Sequence, residues 1–118
     1  MNSNELKQRA KTLALRVIKV IEALPRSRTA DVLGKQLLRC ATSVGANYRA
    51  ACRAKSPADF VAKLGIVEEE ADETIYWLEL LVETGLVRSE EARPLLQEAD
   101  EILAITVASI KTARGGPR

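Results

Sequence analysis

Apolar residues recur along this chain every three or four positions in four stretches, and no run alternates as a half-buried strand would. In the first stretch Leu6, Leu13, Val17, Val20, Ile21 and Leu24 share one helical face. Ser3 or Asn4 can cap it and Pro25 stops it, which predicts a helix over about residues 4–24. The link Pro25–Arg28 is short, and Thr29 can cap a second helix over 29–54. The clearest local signal is Ser56-Pro57-Ala58-Asp59. There Ser accepts orphan N–H groups, Pro suits the first helical position, and Asp59 stands as a short capping-box partner. The third helix is predicted over 57–84, with Gly85 as its C-cap glycine. Ser89, followed by Glu90 and Glu91, opens a fourth, over 90–113. Pro94 falls one turn inside it and predicts a kink or a break into a short first turn. The end, Gly115-Gly116-Pro117-Arg118, is expected to fray.

Helices of roughly 20–28 residues joined by short links fold as an all-α, antiparallel up-down four-helix bundle. With no composition break and no repeat, residues 1–118 read as one domain, long enough to bury a core. Phe60, Tyr48, Tyr76 and Trp77 are the only aromatics, so Leu, Ala, Val and Ile must fill that core. Helical periodicity puts Leu13, Val17, Leu37, Val44, Phe60, Leu64, Ala71, Leu78, Ile102 and Leu103 in it. The N-terminus is polar and lacks a signal-peptide apolar stretch. A charge-free run such as Ile102–Ile110 falls far short of the ~20 apolar residues of a membrane span. The expectation is a soluble, cytoplasmic protein with no membrane partner. Cys40 and Cys52, if on one helix, lie roughly 18 Å apart, too far to bridge within a subunit. Both read as small buried apolar side chains.

The charge is divided unevenly. Residues 1–55 carry 12 Lys/Arg and 3 Asp/Glu, whereas residues 56–118 carry 6 and 13. Such asymmetry points to binding more than to catalysis, either of an anionic partner or of another subunit. On the second helix Lys35, Arg39, Arg49 and Arg53 fall within about 80° of one another and make a stripe about 27 Å long. This stripe is the candidate nucleic-acid-binding set. The alternative is a solvated face, or arginines paired with carboxylates. The small residues Ser43, Gly45, Ala46, Asn47 and Ala50 would let another helix approach closely.

The third helix has a broad core arc and a second arc of Ile66, Trp77 and Leu80, with Glu70 and Glu73 around them. Those five residues form a candidate oligomer interface, since Trp is a favoured anchor. The alternative is that Trp77 lies half-covered beside a helix of its own subunit. Glu68, Glu69, Glu70, Asp72 and Glu73 spread around the helix and predict no metal site. With no histidine the commonest general base is missing, and no phosphate-binding glycine pattern occurs. No cofactor, small-molecule substrate or catalytic residue is expected.

Two segments carry a resemblance. One is Gln36-Leu37-Leu38-Arg39-Cys40-Ala41-Thr42-Ser43-Val44-Gly45-Ala46-Asn47-Tyr48-Arg49-Ala50-Ala51-Cys52-Arg53-Ala54-Lys55-Ser56. The other is Asp59-Phe60 followed by Lys63-Leu64-Gly65-Ile66-Val67-Glu68-Glu69-Glu70-Ala71-Asp72-Glu73-Thr74-Ile75-Tyr76-Trp77-Leu78-Glu79-Leu80-Leu81. Together they resemble the bacterial four-helix-bundle family first noticed as open reading frames within 23S ribosomal RNA intervening sequences. The resemblance implies an up-down bundle, a homopentameric ring and no enzymatic activity. It also implies kinship with the accessory bundle protein of diversity-generating retroelements, which works with a reverse transcriptase and nucleic acid. One position departs: the family tends to have Glu where this chain has Ala50.

The first functional reading is an assembling, non-catalytic bundle that binds RNA or DNA through a composite basic surface. The alternative is a structural or protein-interaction scaffold whose basic and acidic halves serve subunit contacts. A third, a metal-dependent nuclease, is opposed by the missing histidine and the dispersed carboxylates.

Overall fold

A computed structural model describes residues 1–115 of the chain. Four helices make it up: α1 (Ser3–Glu22), α2 (Arg28–Cys52), α3 (Pro57–Glu83) and α4 (Ser89–Ala113). The expected fraying of Gly116, Pro117 and Arg118 lies outside the described residues.

Local chemistry sets the helix ends. The Ser56 hydroxyl accepts from the Asp59 N–H at 3.0 Å, and the Asp59 carboxylate accepts from the Lys55 N–H at 3.1 Å. At the other end of α3, Gly85 takes the left-handed conformation (φ 79°). The Leu86 N–H then bonds the Leu81 carbonyl and the Gly85 N–H bonds that of Val82, the crossed pair of a Schellman motif.

Three caps differ from expectation, one of them at α4, where Ser89 is the first helical residue and Arg88 takes the cap position without a side-chain hydrogen bond. Asn2, not Ser3 or Asn4, caps α1: its Oδ1 accepts from the Glu5 N–H at 2.9 Å, and its amide donates to the Glu5 carboxylate at 2.8 Å. Ser27, not Thr29, caps α2 by accepting from the Ala30 N–H at 3.0 Å. Every residue of these two competing sets is a competent cap; the earliest adds residues to the helix. Pro94 does not break α4, which runs unbroken from Ser89 to Ala113. Buried Ala92 and Leu95 beside it, with Val87 just before the helix, hold that first turn on the core.

Five-, four- and five-residue links force each helix to run against its predecessor. The helices contact around a square: α1 with α2, α2 with α3, α3 with α4, and α4 with α1. Among the described residues the diagonal pairs do not touch; the α2–α3 seam is the most extensive and the α1–α4 seam the least. Two glycines of α2 face α1 and the link that follows it. A Cβ at Gly45 would stand 3.4 Å from the Ala10 Cβ, and one at Gly34 3.3 Å from the Leu24 side chain.

Leu13, Val17, Leu37, Val44, Leu64, Ala71, Leu78 and Ile102 are buried as the periodicity predicts. Phe60 and Leu103 are only half-buried. Phe60 sits in the first turn of α3, against a small end cluster of Ala51, Leu64 and Ile110, and Leu103 lies at the core's edge. Two polar residues enter the core instead, Thr74 and Thr106. Each hydroxyl donates to the carbonyl one turn back, Glu70 at 2.8 Å and Ile102 at 2.7 Å, so neither is left unpaired.

The α1–α4 seam is held by charge. Arg9 donates from Nε to Glu98 at 2.8 Å and from a terminal nitrogen to both Glu98 and Glu101. The Arg9 hydrogen bond holds the Glu98 carboxyl below its ordinary 4.5.

Two outcomes are expected. Leu64→Ala or Leu78→Ala, each removing a fully buried side chain, costs about 2–5 kcal/mol, measurable by urea unfolding. Because Glu98 titrates lower when folded, the unfolded chain binds more protons, and the stability this pair contributes is present above pH ~4.5 and lost as pH falls through the folded value. Thermal melts across that range should show Glu98→Gln flattening the acid limb.

Candidate functional site

The four cations of the α2 stripe go to different places. At 100° per residue, Lys35 and Arg53 lie on the outward meridian of α2, Arg39 some 40° to one side and Arg49 some 40° to the other. That offset turns Arg39 toward α3 and Arg49 toward α1.

On the α3 side, Arg39 donates to Glu70 at 2.9 Å and to Glu73 at 2.7 Å. Glu70 is 8% exposed. The Arg39 hydrogen bond holds Glu73 below the ordinary carboxylate range, and the Trp77 indole N–H reaches the same Glu73 oxygen at 3.4 Å. One residue of the basic set is thus tied, within the chain, to two carboxylates of the interface set. Trp77 is half-buried against the core and meets Tyr76 edge-on, ring centroids 5.1 Å apart. Leu80 is likewise half-buried, whereas Ile66 and Tyr76 are exposed.

On the α1 side the outcome is different. The N-terminal half of α1 lies beside the C-terminal half of α2, and between them runs a recess of about 700 Å³. Its basic residues are Lys7 and Lys11 from α1 and Arg49 and Arg53 from α2, and none of its lining residues is acidic. The floor is small, with Ala10, Ala14, Gly45, Ala46 and Ala50; Asn4, Gln8 and Thr42 stand at the edges. No ion pair among the described residues engages any of the four cations. Each helix contributes its pair at i and i+4, so each pair forms a short ridge about 6 Å long. Ala50 lines this recess and brings no carboxylate between the ridges.

Lys35 lies away from the recess, in a smaller depression of about 340 Å³ at the α1–α2 turn, where Glu22 and Asp31 accompany Arg26. The stripe is therefore not one surface. Lys7 and Lys11 were invisible to a search along α2, because only the antiparallel pairing of α1 with α2 brings them opposite Arg49 and Arg53. The signal that could find them is the matching i, i+4 spacing of two cation pairs on helices that must be neighbours.

The small residues of α2 divide similarly. Gly45 receives α1 of the same chain, the Asn47 amide donates back to Ser43 at 2.7 Å, and Ala46 and Ala50 face the recess.

Nothing nucleophilic is poised here. Cys40 is buried, its thiol pushed up by desolvation, and the Thr74 hydroxyl lies 3.4 Å from its sulfur. Cys52 is half-buried and free. Burial first, and the neighbouring Cys52 second, push the Tyr48 phenol up to about 12. Among the described residues no three Cys, Asp or Glu side chains gather as metal ligands, and no helix is long and apolar enough to cross a membrane.

Comparison with known proteins bears on what this arrangement belongs to. Among curated proteins none matches the sequence. A crystal structure from Bacteroides thetaiotaomicron, a protein of unknown function from the S23 ribosomal protein family, is similar at 38% identity and a TM-score of 0.86. The similarity covers 94% of this chain and 99% of that one. The family model described as 23S rRNA-intervening sequence protein matches residues 2–108, and the chain belongs to that family.

Proposed function

We propose that this protein is a non-catalytic, self-assembling bundle that binds RNA or DNA through the basic recess between α1 and α2. The observation that carries the reading is the recess itself: Lys7, Lys11, Arg49 and Arg53 around a small-residue floor, with no carboxylate among its lining residues. Four unpaired cations on two fixed ridges fit a phosphodiester backbone and release its counterions. The recess has no aromatic side chain, so recognition runs through phosphate and tolerates sequence. Self-assembly is proposed through the second face of α3, where Ile66 stays exposed and Trp77 and Leu80 half-covered, with the five-subunit ring that family resemblance favours. Glu70, buried, and Glu73, part-exposed, act there as the brace of Arg39. Repetition around a ring would multiply a modest recess into a multivalent surface.

A scaffold reading draws on a different observation, the exposed apolar side chains Leu15, Ile18 and Leu38 on α1 and α2. In that case the basic recess serves protein contacts and nucleic acid does not bind.

Fluorescence anisotropy with labelled RNA and DNA of equal sequence decides between them. Binding should fall with salt at a log–log slope of about −3 for a single strand held at four phosphates. Arg49→Gln with Arg53→Gln should weaken all sequences alike and reduce that slope by about 1.4, leaving the assembly intact. Absence of binding at low salt by the assembled protein leaves the scaffold reading. Light scattering tests assembly: Trp77→Ala is expected to lower the particle mass, and a monomeric native protein at micromolar concentration would refute the ring.

A further inference from the structure

We infer that the recess takes an unpaired nucleotide of a single strand, with the base lying between the two cationic ridges. This deepens the nucleic-acid reading and rests on it. Phosphates alone need only a convex ridge of cations. Here the cations flank a depression of about 700 Å³, the size of a small-molecule site and more than a phosphate fills.

The floor between the ridges suits the face of a base. Ala14, Ala46 and Ala50 offer methyl groups, and Gly45 meets buried Ala10 at the bottom, so an apolar floor lies between the charges. Arg49 and Arg53 stand on one rim, and guanidinium planes stack on bases as well as pairing with phosphates. Asn4 and Gln8 bring side-chain amides to the edge, each able to donate and accept toward a base edge. In a duplex the bases are stacked and paired inside, and placing one here would cost the unstacking that a single strand has already undergone. A duplex would touch only the rims.

The test separates the floor from the charges. The probes are a short mixed-sequence RNA, its DNA equivalent, and a blunt duplex of each. Ala46→Leu with Ala50→Leu fills the floor, keeps every cation and uses a good helix former. Ala14→Leu fills it from the α1 wall, so the proposal stays testable if the first variant loses helical circular dichroism. The native protein should prefer the single strands, and the filled variants should weaken them about tenfold while leaving duplex affinity unchanged.

Tighter duplex than single-strand binding by the native protein would overturn the inference, as would an equal response of both probe types to the filled floor. Efficient displacement of the RNA by inorganic phosphate would reassign the recess to a free anion. If no nucleic acid binds at low salt, the functional reading itself falls; if it binds and the filled variants are indifferent, only the unpaired-base inference falls.

Discussion

The packing of α2 against α3 is what the rest of the molecule leans on. Their seam is the most extensive in the bundle; the two helices are joined by a four-residue link and closed at one end by the Ser56 cap. Leu37, Cys40, Ala41 and Val44 meet Val67, Ala71, Leu78 and Leu81 in one continuous core. Burial of each Leu or Val among them contributes about 1.5–3 kcal/mol, more than a surface ion pair does. Once this hairpin is set, α1 and α4 have one place each to go: onto the remaining apolar faces, along the open sides of the square.

That arrangement also fixes which charges meet. The cations of α2 point away from its core face, and its two neighbours receive those that deviate to either side. Arg39 leans toward α3 and is taken up by Glu70 and Glu73. Arg49 leans toward α1, whose facing residues are Lys7 and Lys11, and stays unpaired among the described residues. The uneven division of charge along the sequence becomes, in three dimensions, one neutralised seam and one cationic seam.

The fold was legible because its signals are local. Ser56-Pro57 and Gly85 mark the ends of α3 through hydrogen bonds spanning three to five residues, and the apolar periodicity needs only one helix at a time. Where two competent caps stood close together, as with Ser27 and Thr29, sequence could not rank them, because the gain lies in residues the longer helix adds. Thr74 and Thr106 carry hydroxyls, and the carbonyl one turn back is what makes their burial cheap. The recess was half legible. Arg49 and Arg53 could be read from α2, but Lys7 and Lys11 come from a helix some forty residues earlier, and a stripe drawn on one helix cannot show which members a neighbour will claim.

The loose seam between α1 and α4 has a consequence for how occupancy and folding are joined. Apart from shared apolar burial, α1 is tethered to α4 through Arg9 and its carboxylates, so it is the helix least committed to the core. It is also one wall of the recess. A polyanion lying there would bridge α1 to α2 and draw its binding energy only from the docked state. Ligand binding and the docking of α1 are then thermodynamically linked: each free strand in excess of its dissociation constant adds to the stability of the whole bundle. Under the proposed function, the four like charges that repel one another across the recess would become the means by which a partner of opposite sign fastens the first helix in place.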